Sequence, residues 1–151
     1  MRGMGRVTAL YVYARSGAAA TPCVVVHARP GGLAEDRKRG RRRQVTVVAL
    51  EDWRSATAEA GAPGTDVARR KANVVVEGVA LGALVGQRLR LGDAVLEVLG
   101  ETDPCPKMNQ VVPGLEAAMR PAMRGGVFGA VVVAGAIRVG DAAEPVDPVD
   151  R

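Results

Sequence analysis

Valine dominates the apolar runs of this chain, and glycine or proline cuts each run short. The segments QVTVVAL (residues 44–50), NVVVEG (73–78) and VFGAVVVAG (127–135) show the pattern. β-Branched side chains favour extended backbone, while glycine at 19 positions and proline at 9 supply frequent turns. Aromatic residues make up 3% of the 151 residues, so the core must be built from small aliphatic side chains. The expectation is one mainly β domain of about seven or eight short strands. It would be strongly bent and partly closed, barrel-like, with one or two short helices.

The strands expected are residues 7–14, 23–28, 44–50, 73–77, 87–91 and 94–99, with Gly92-Asp93 as a hairpin turn. Residues 127–133 and 136–139 read as a final hairpin around Ala134-Gly135. Residues 51–60 read as a helix with acids in the first turn and Gly61 as the stop, and 113–119 as a short helix. The domain is expected over 1–141, with 142–151 as a frayed polar tail. The start, MRGMGRVTALYVYAR, is closed by Arg15 too early for a secretory segment, and no run reaches membrane-spanning length. A cytoplasmic protein with reduced thiols is the expectation.

One stretch asks for a chemical explanation: GETDPCPKM, residues 100–108. It sets Cys105, one of two cysteines, between Pro104 and Pro106. Both prolines restrict the backbone, and a helical turn starting at Pro106 would make Cys105 its N-cap, favouring a thiolate. A rigid, exposed, activated thiol is one reading. A small buried hydrophobe in a loop is the other.

Other catalytic sets are poorly supplied. The single histidine, His27, sits in a valine strand, where a core or edge role is the simpler reading. No His/Cys set has zinc spacing, and GGVFG (125–129) lacks the pattern of a phosphate loop. Chemistry, if any, would be carried by a cofactor. Two stretches could bind one. Arg69, Arg70, Lys71 and Asn73 stand at the mouth of a strand, where guanidinium groups suit phosphate. Arg124, Gly125 and Gly126 open another, where glycine lets a ligand approach the backbone. Each alone reads equally as a solvated charge cluster or an ordinary turn.

Taken in order, these stretches resemble the MOSC family over roughly residues 6–141. The resemblance rests on Arg70, Lys71 and Asn73 with the strand that follows, the Gly-Asp turns, Thr102-Asp103-Pro104-Cys105 with Met108, and Arg124-Gly125-Gly126-Val127-Phe128. QVTVVALEDW also matches the family's upstream strand and helix. The resemblance implies a molybdenum–pterin cofactor, molybdopterin, as the anionic partner. Cys105 would be its metal ligand and catalytic residue, and Arg70, Lys71, Asn73, Thr102, Arg124, Gly125 and Gly126 its binding residues. The implied activity is reduction of an N-hydroxylated or similar small molecule, with an external electron donor.

The alternative is a sulfur carrier holding a Cys105 persulfide, loaded by a separate cysteine desulfurase. No pyridoxal phosphate site is implied for this chain. A second alternative is a non-catalytic module that binds cofactor or nucleic acid.

The chain departs from the family's Gly-Leu-x-Gly-Asp-Arg-His-like stretch. It carries Glu35 where glycine is common and Lys38 where histidine is common. Asn109 stands where an acid is frequent. The run RKRGRRR (37–43), part of a net charge of +5, reads as a solvated loop, a lip of the cofactor site or a nucleic-acid patch. The scarcity of aromatics weakens the last. Free strand edges leave room for a homodimer.

Overall fold

The computed structural model describes residues 5–146. Elements follow the chain as β1 (Arg6–Val12), β2 (Thr21–Cys23), β3 (Val25–Arg29), β4 (Gly32–Leu33), β5 (Val45–Ala49), α1 (Leu50–Glu59) and β6 (Val74–Glu77). Then come β7 (Arg88–Leu91), β8 (Ala94–Glu101), α2 (Met108–Val111), α3 (Leu115–Met119), β9 (Val127–Val133), β10 (Gly135–Arg138) and β11 (Ala143–Pro145). Single 3-10 turns span Val67–Arg70, Leu81–Leu84 and Pro121–Met123. The protein is mainly β, as the valine pattern predicts.

Eight strands form one sheet in the order β11-β7-β8-β9-β5-β6-β1-β2, and three form a second, β10-β3-β4. The large sheet is antiparallel except where β5 lies parallel to β6, with Val47 opposite Val74. All five residues of β5 are buried, as expected of a strand covered on both faces. Val45, Val47 and Ala49 face the main core, while Val48 packs with Ala72 and Val75 on the other side. There α1, α2 and α3 enclose Trp53, Ala56, Met108, Leu115 and Met119.

The large sheet curls strongly. Arg6 bridges Ala142, and Val7 N–H donates to the Asp141 carbonyl at 2.8 Å, so β1 meets the chain just ahead of β11. The two sheets do not merge into a closed barrel. Breaks in register at Val95/Leu96 and Val98/Gly100 bend β8 along β9.

Four expectations are corrected. The strand expected at 23–28 is two strands in different sheets. Cys23 pairs with Leu10, Val25 pairs with Arg138, and the exposed Val24 marks the crossing. Pro22 is accommodated because β2 is an edge strand.

Residues 127–138 are not a hairpin. β9 pairs with β5 and β8, whereas β10 pairs with β3. The chain crosses between sheets at Ala134, and Gly135, the first residue of β10, lies against the β7–β8 turn, where a Cβ would stand 2.5 Å from the Asp93 carbonyl oxygen.

Residues 143–145, expected to fray, form β11 on β7, with Ala143 and Val146 buried. Apolar side chains at those two positions give the segment a core contact. The rest of that tail, 147–151, lies outside the described residues, as do 1–4.

The fourth concerns Cys105. The first turn closes when Met108 N–H donates to the Cys105 carbonyl at 2.9 Å, but α2 begins at Met108 with Lys107 as its cap. Cys105 therefore precedes the helix by more than a cap position.

Candidate functional site

The site is organised by one buried cation. Asp66 caps the 3-10 turn at Val67–Arg70 by accepting from Ala68 N–H at 2.9 Å. Lys71 then reverses the chain at φ +64°, which leaves the Arg70 side chain pointing into the protein. Arg70 is 8% exposed. Its Nε donates to the Gly125 carbonyl at 3.0 Å, and its Nη2 donates to Gly125 at 2.9 Å and to the Thr102 carbonyl at 3.0 Å. Its Nη1 faces the sulfur of Met108 at 3.9 Å. The three segments singled out in the sequence thus meet at Arg70.

Cys105 stands at the end of the strap that Arg70 holds. β8 runs out at Glu101, and Thr102 N–H donates to the Gly126 carbonyl at 2.9 Å. Pro104 is buried, while Cys105 is exposed with a free thiol. The side-chain hydroxyl of Thr102 is buried and has no hydrogen-bond partner. Burial lowers the Arg70 pKa below its ordinary value, and Arg43 lowers it further. Negative charge on Cys105 or Tyr13 works the other way. Cys105, Arg43 and Tyr13 therefore all lie within electrostatic reach of Arg70.

Part of the arginine run reaches this site. Arg43 stacks over the Phe128 ring at 4.7 Å. Arg39 lies over Tyr13 at 5.4 Å and donates to Asp36 at 2.6 Å. Asp36 accepts from Tyr13 N–H at 2.8 Å. The Tyr13 hydroxyl donates to the Ala72 carbonyl at 3.3 Å, and burial, opposed by Arg39, raises its pKa to about 12. The run is therefore anchored at Arg39 and Arg43 rather than wholly solvated. Sequence reasoning missed Tyr13 and did not separate Arg43 from its neighbours. No local signal was available, because Arg43 meets Phe128 only through the pairing of β5 with β9.

The remaining expected residues are occupied elsewhere. Asn73 is fully buried. Its Oδ1 accepts from the N–H and hydroxyl of Thr46, at 3.1 and 3.3 Å, and its Nδ2 donates to the Tyr11 carbonyl at 3.2 Å. It ties β1 to β5 and does not face the thiol. Lys71 Nζ donates outward to the Ala18 carbonyl at 3.3 Å. Arg124 Nη1 donates to Glu59 at 2.7 Å and to the Ala118 carbonyl at 3.0 Å, tying the turn before β9 to α1 and α3.

The two glycines face protein rather than open space. A Cβ on Gly125 would stand 2.5 Å from the Thr102 carbonyl oxygen, and one on Gly126, at φ +94°, would meet the Val47 carbonyl. What approaches the backbone here is the chain itself.

The family model described as the MOSC domain matches residues 34–144, which spans Arg43, Arg70, Thr102 and Cys105. The chain belongs to the MOSC domain family. That family is associated with molybdenum cofactor binding. Among solved structures, this MOSC domain is similar to the YuaD protein from Bacillus subtilis. The TM-score is 0.79 and the identity 24%, covering 95% of this chain and 97% of that one.

It is also similar to YiiM from Geobacillus stearothermophilus, with a TM-score of 0.73 and 16% identity over 95% of this chain and 75% of that one. For YiiM from Escherichia coli the TM-score is 0.65 at 18% identity, over 97% and 70%. At these identities the likeness is one of fold. No curated protein matches the chain. Among the described residues no helix is long and apolar enough to cross a membrane.

Proposed function

We propose that this MOSC domain binds a molybdenum–pterin cofactor with Cys105 as its protein ligand, and that the holoprotein reduces an oxidised small molecule such as an N-hydroxylated compound. The observation that carries the reading is the convergence of three segments on Arg70 beside an exposed thiol. The residues suit the group. A thiolate is a soft donor that fits molybdenum. Arg70 and Arg43 supply positive charge for a pterin phosphate. The orphaned Thr102 hydroxyl is a polar atom that a ligand would satisfy. Among the described residues no three His, Cys, Asp or Glu cluster to hold an ion, so the thiol would be the chain's contribution to the metal.

When bound, the cofactor supplies two-electron redox chemistry. The chain's own part is to bind and orient. Pro104 and Pro106 restrict the backbone on either side of Cys105, and Arg70 pins the strap at Thr102. Gly125 and Gly126 let that strap lie against β9, and Arg124, Lys71 and Asn73 act as supports. Reducing an N-hydroxylated substrate consumes two electrons, from an external donor, and two protons, and releases water.

The exposure of Cys105 favours one alternative. Its thiolate would attack the terminal sulfur of a desulfurase persulfide. The desulfurase thiolate leaves, and Cys105 keeps a persulfide for delivery to a metal centre.

The deciding experiment measures molybdenum and pterin in protein purified from a host that makes the cofactor, wild type against Cys105→Ser. Stoichiometric metal that is lost in the variant supports the metal-ligand reading. Cofactor retained equally by the variant would sink it. Metal-free protein carrying a cyanide-labile sulfur on Cys105 would move the assignment to the carrier.

A further inference from the structure

A cleft of about 600 Å³ is lined in part by the arginine run. Neither Cys105, Arg70 nor Arg43 lines it. Its walls are Arg29 at the end of β3, the turn Pro30–Gly32, and Arg37, Lys38 and Arg41 of the run. The charge inside is unbalanced. Asp36, the only acid in the lining, is already committed to Arg39 and to Tyr13 N–H. Among the described residues Arg29, Arg37, Lys38 and Arg41 have no ion-pair partner, although Arg6, Arg39, Arg120, Arg124 and Arg138 each have one. Four cations are thus held around one hollow with nothing to neutralise them.

The backbone of the cleft is also open. Gly31 and Gly40 have φ of +101° and +103°, and a Cβ on either would meet nothing within 4 Å. At Gly125 and Gly126 packing forbids a side chain. At Gly31 and Gly40 only the backbone conformation does, and the space above is free. Open glycine backbone among guanidinium groups is a cradle for phosphate oxygens. The volume lies in the range of small-molecule sites, roughly 300–1,000 Å³.

We propose that this cleft binds a phosphorylated small molecule carrying a chain of two or three phosphates, in a site separate from that of Cys105. Four cations exceed what one phosphate monoester needs and match a chain of two or three phosphates. The cleft is lined by one short stretch of chain, residues 29–44, and no aromatic side chain lines it to stack successive bases. The inference does not depend on the function proposed for Cys105.

The test is calorimetric titration of the full chain with tripolyphosphate, ATP and a single-stranded RNA 12-mer, each at two salt concentrations. Wild type is compared with Lys38→Ala/Arg41→Ala and with Cys105→Ser. Lys38 and Arg41 are exposed, so the double variant tests charge and not packing. The expected result is one ATP per chain, weakened about tenfold or more in the double variant and unchanged in Cys105→Ser. A second variant, Arg29→Ala, weakens ATP as well if the cleft is the site. Absence of ATP and tripolyphosphate binding overturns the proposal. So does binding that the double variant leaves intact, and so does binding of the RNA alone. Loss of binding in Cys105→Ser would place the ligand at the cysteine site and overturn the separate cleft.

Discussion

Arg70 grips the carbonyl of Gly125 with two nitrogens at once, Nε at 3.0 Å and Nη2 at 2.9 Å. The same Nη2 holds the Thr102 carbonyl, so one guanidinium fastens the strap before Cys105 to the turn that opens β9. A lysine has the charge but not the planar fork that reaches both carbonyls. Truncation strands two acceptors in a buried setting. Arg70→Ala is expected to lose about 2–3 kcal/mol, taking the worth of hydrogen bonds to a charged group. Arg70→Lys should recover only part of that. Urea unfolding of the three proteins checks it, and a midpoint for Arg70→Ala equal to wild type would contradict the staple.

Gly126 combines two demands. Its φ of +94° suits glycine, and a Cβ there would collide with the Val47 carbonyl of β5. Strain and overpacking each cost about 1–3 kcal/mol, so Gly126→Ala should destabilise the domain by about 3 kcal/mol or more. Gly114 is the control. It has φ +85° but open space above it, so Gly114→Ala incurs the strain alone. Thermal midpoints should fall further for Gly126→Ala than for Gly114→Ala.

The strands and the MOSC resemblance were legible because both follow local rules. Valine runs with turn residues fix β5, β6 and the β7–β8 hairpin, and α1 starts within one residue of its acidic first turn. What was illegible depends on pairing across the chain. Residues 23–28 read as one strand and 127–133 with 136–139 as one hairpin, yet each segment crosses between sheets at one residue, Val24 and Ala134. For the site, the order of motifs identified which segments meet but not which atoms face the ligand. Arg70, Asn73 and Arg124 were read alike as binding groups. Burial separates them: Arg70 touches the thiol strap, Asn73 is spent inside the sheet, and Arg124 is paired with Glu59. No local pattern distinguishes an arginine that binds backbone carbonyls from one that binds phosphate.

Tyr13 predicts an alkaline limit to stability. Its folded pKa is raised from the ordinary tyrosine value of 10.0 to about 12, chiefly by burial. The neutral phenol is the form the fold accepts. Its stabilising contribution is intact below pH 10, where both states are neutral. It is lost as pH rises from 10 towards 12, because only the unfolded chain ionises there. Phenolate absorbance of the native protein should show a tyrosine titrating near pH 12, and Tyr13→Phe should remove that step. In the variant, denaturant midpoints should fall less steeply between pH 10 and 12. The lost bond to Ala72 should cost about 1 kcal/mol at neutral pH. A Tyr13 that titrates at 10 would show the ring to be exposed.

Arg43 offers the sharpest separation between holding the fold and holding a ligand. Its guanidinium rests on Phe128 with an exposed flank, and it repels the buried charge of Arg70. Two like charges brought near one another are a cost that an anion between them removes. Arg43→Gln ends the repulsion and should leave stability within about 1 kcal/mol of wild type, the worth of an exposed cation–π contact. Affinity should move the other way. The variant should hold an anionic pterin cofactor about tenfold more weakly at low salt, with a smaller difference at high salt, where screening shortens the reach of the charge. Arg124→Gln, already paired with Glu59, should retain cofactor as wild type does. Cofactor retained through gel filtration at two ionic strengths measures all three proteins together. Equal retention by Arg43→Gln and wild type would remove the basic run from the cysteine site.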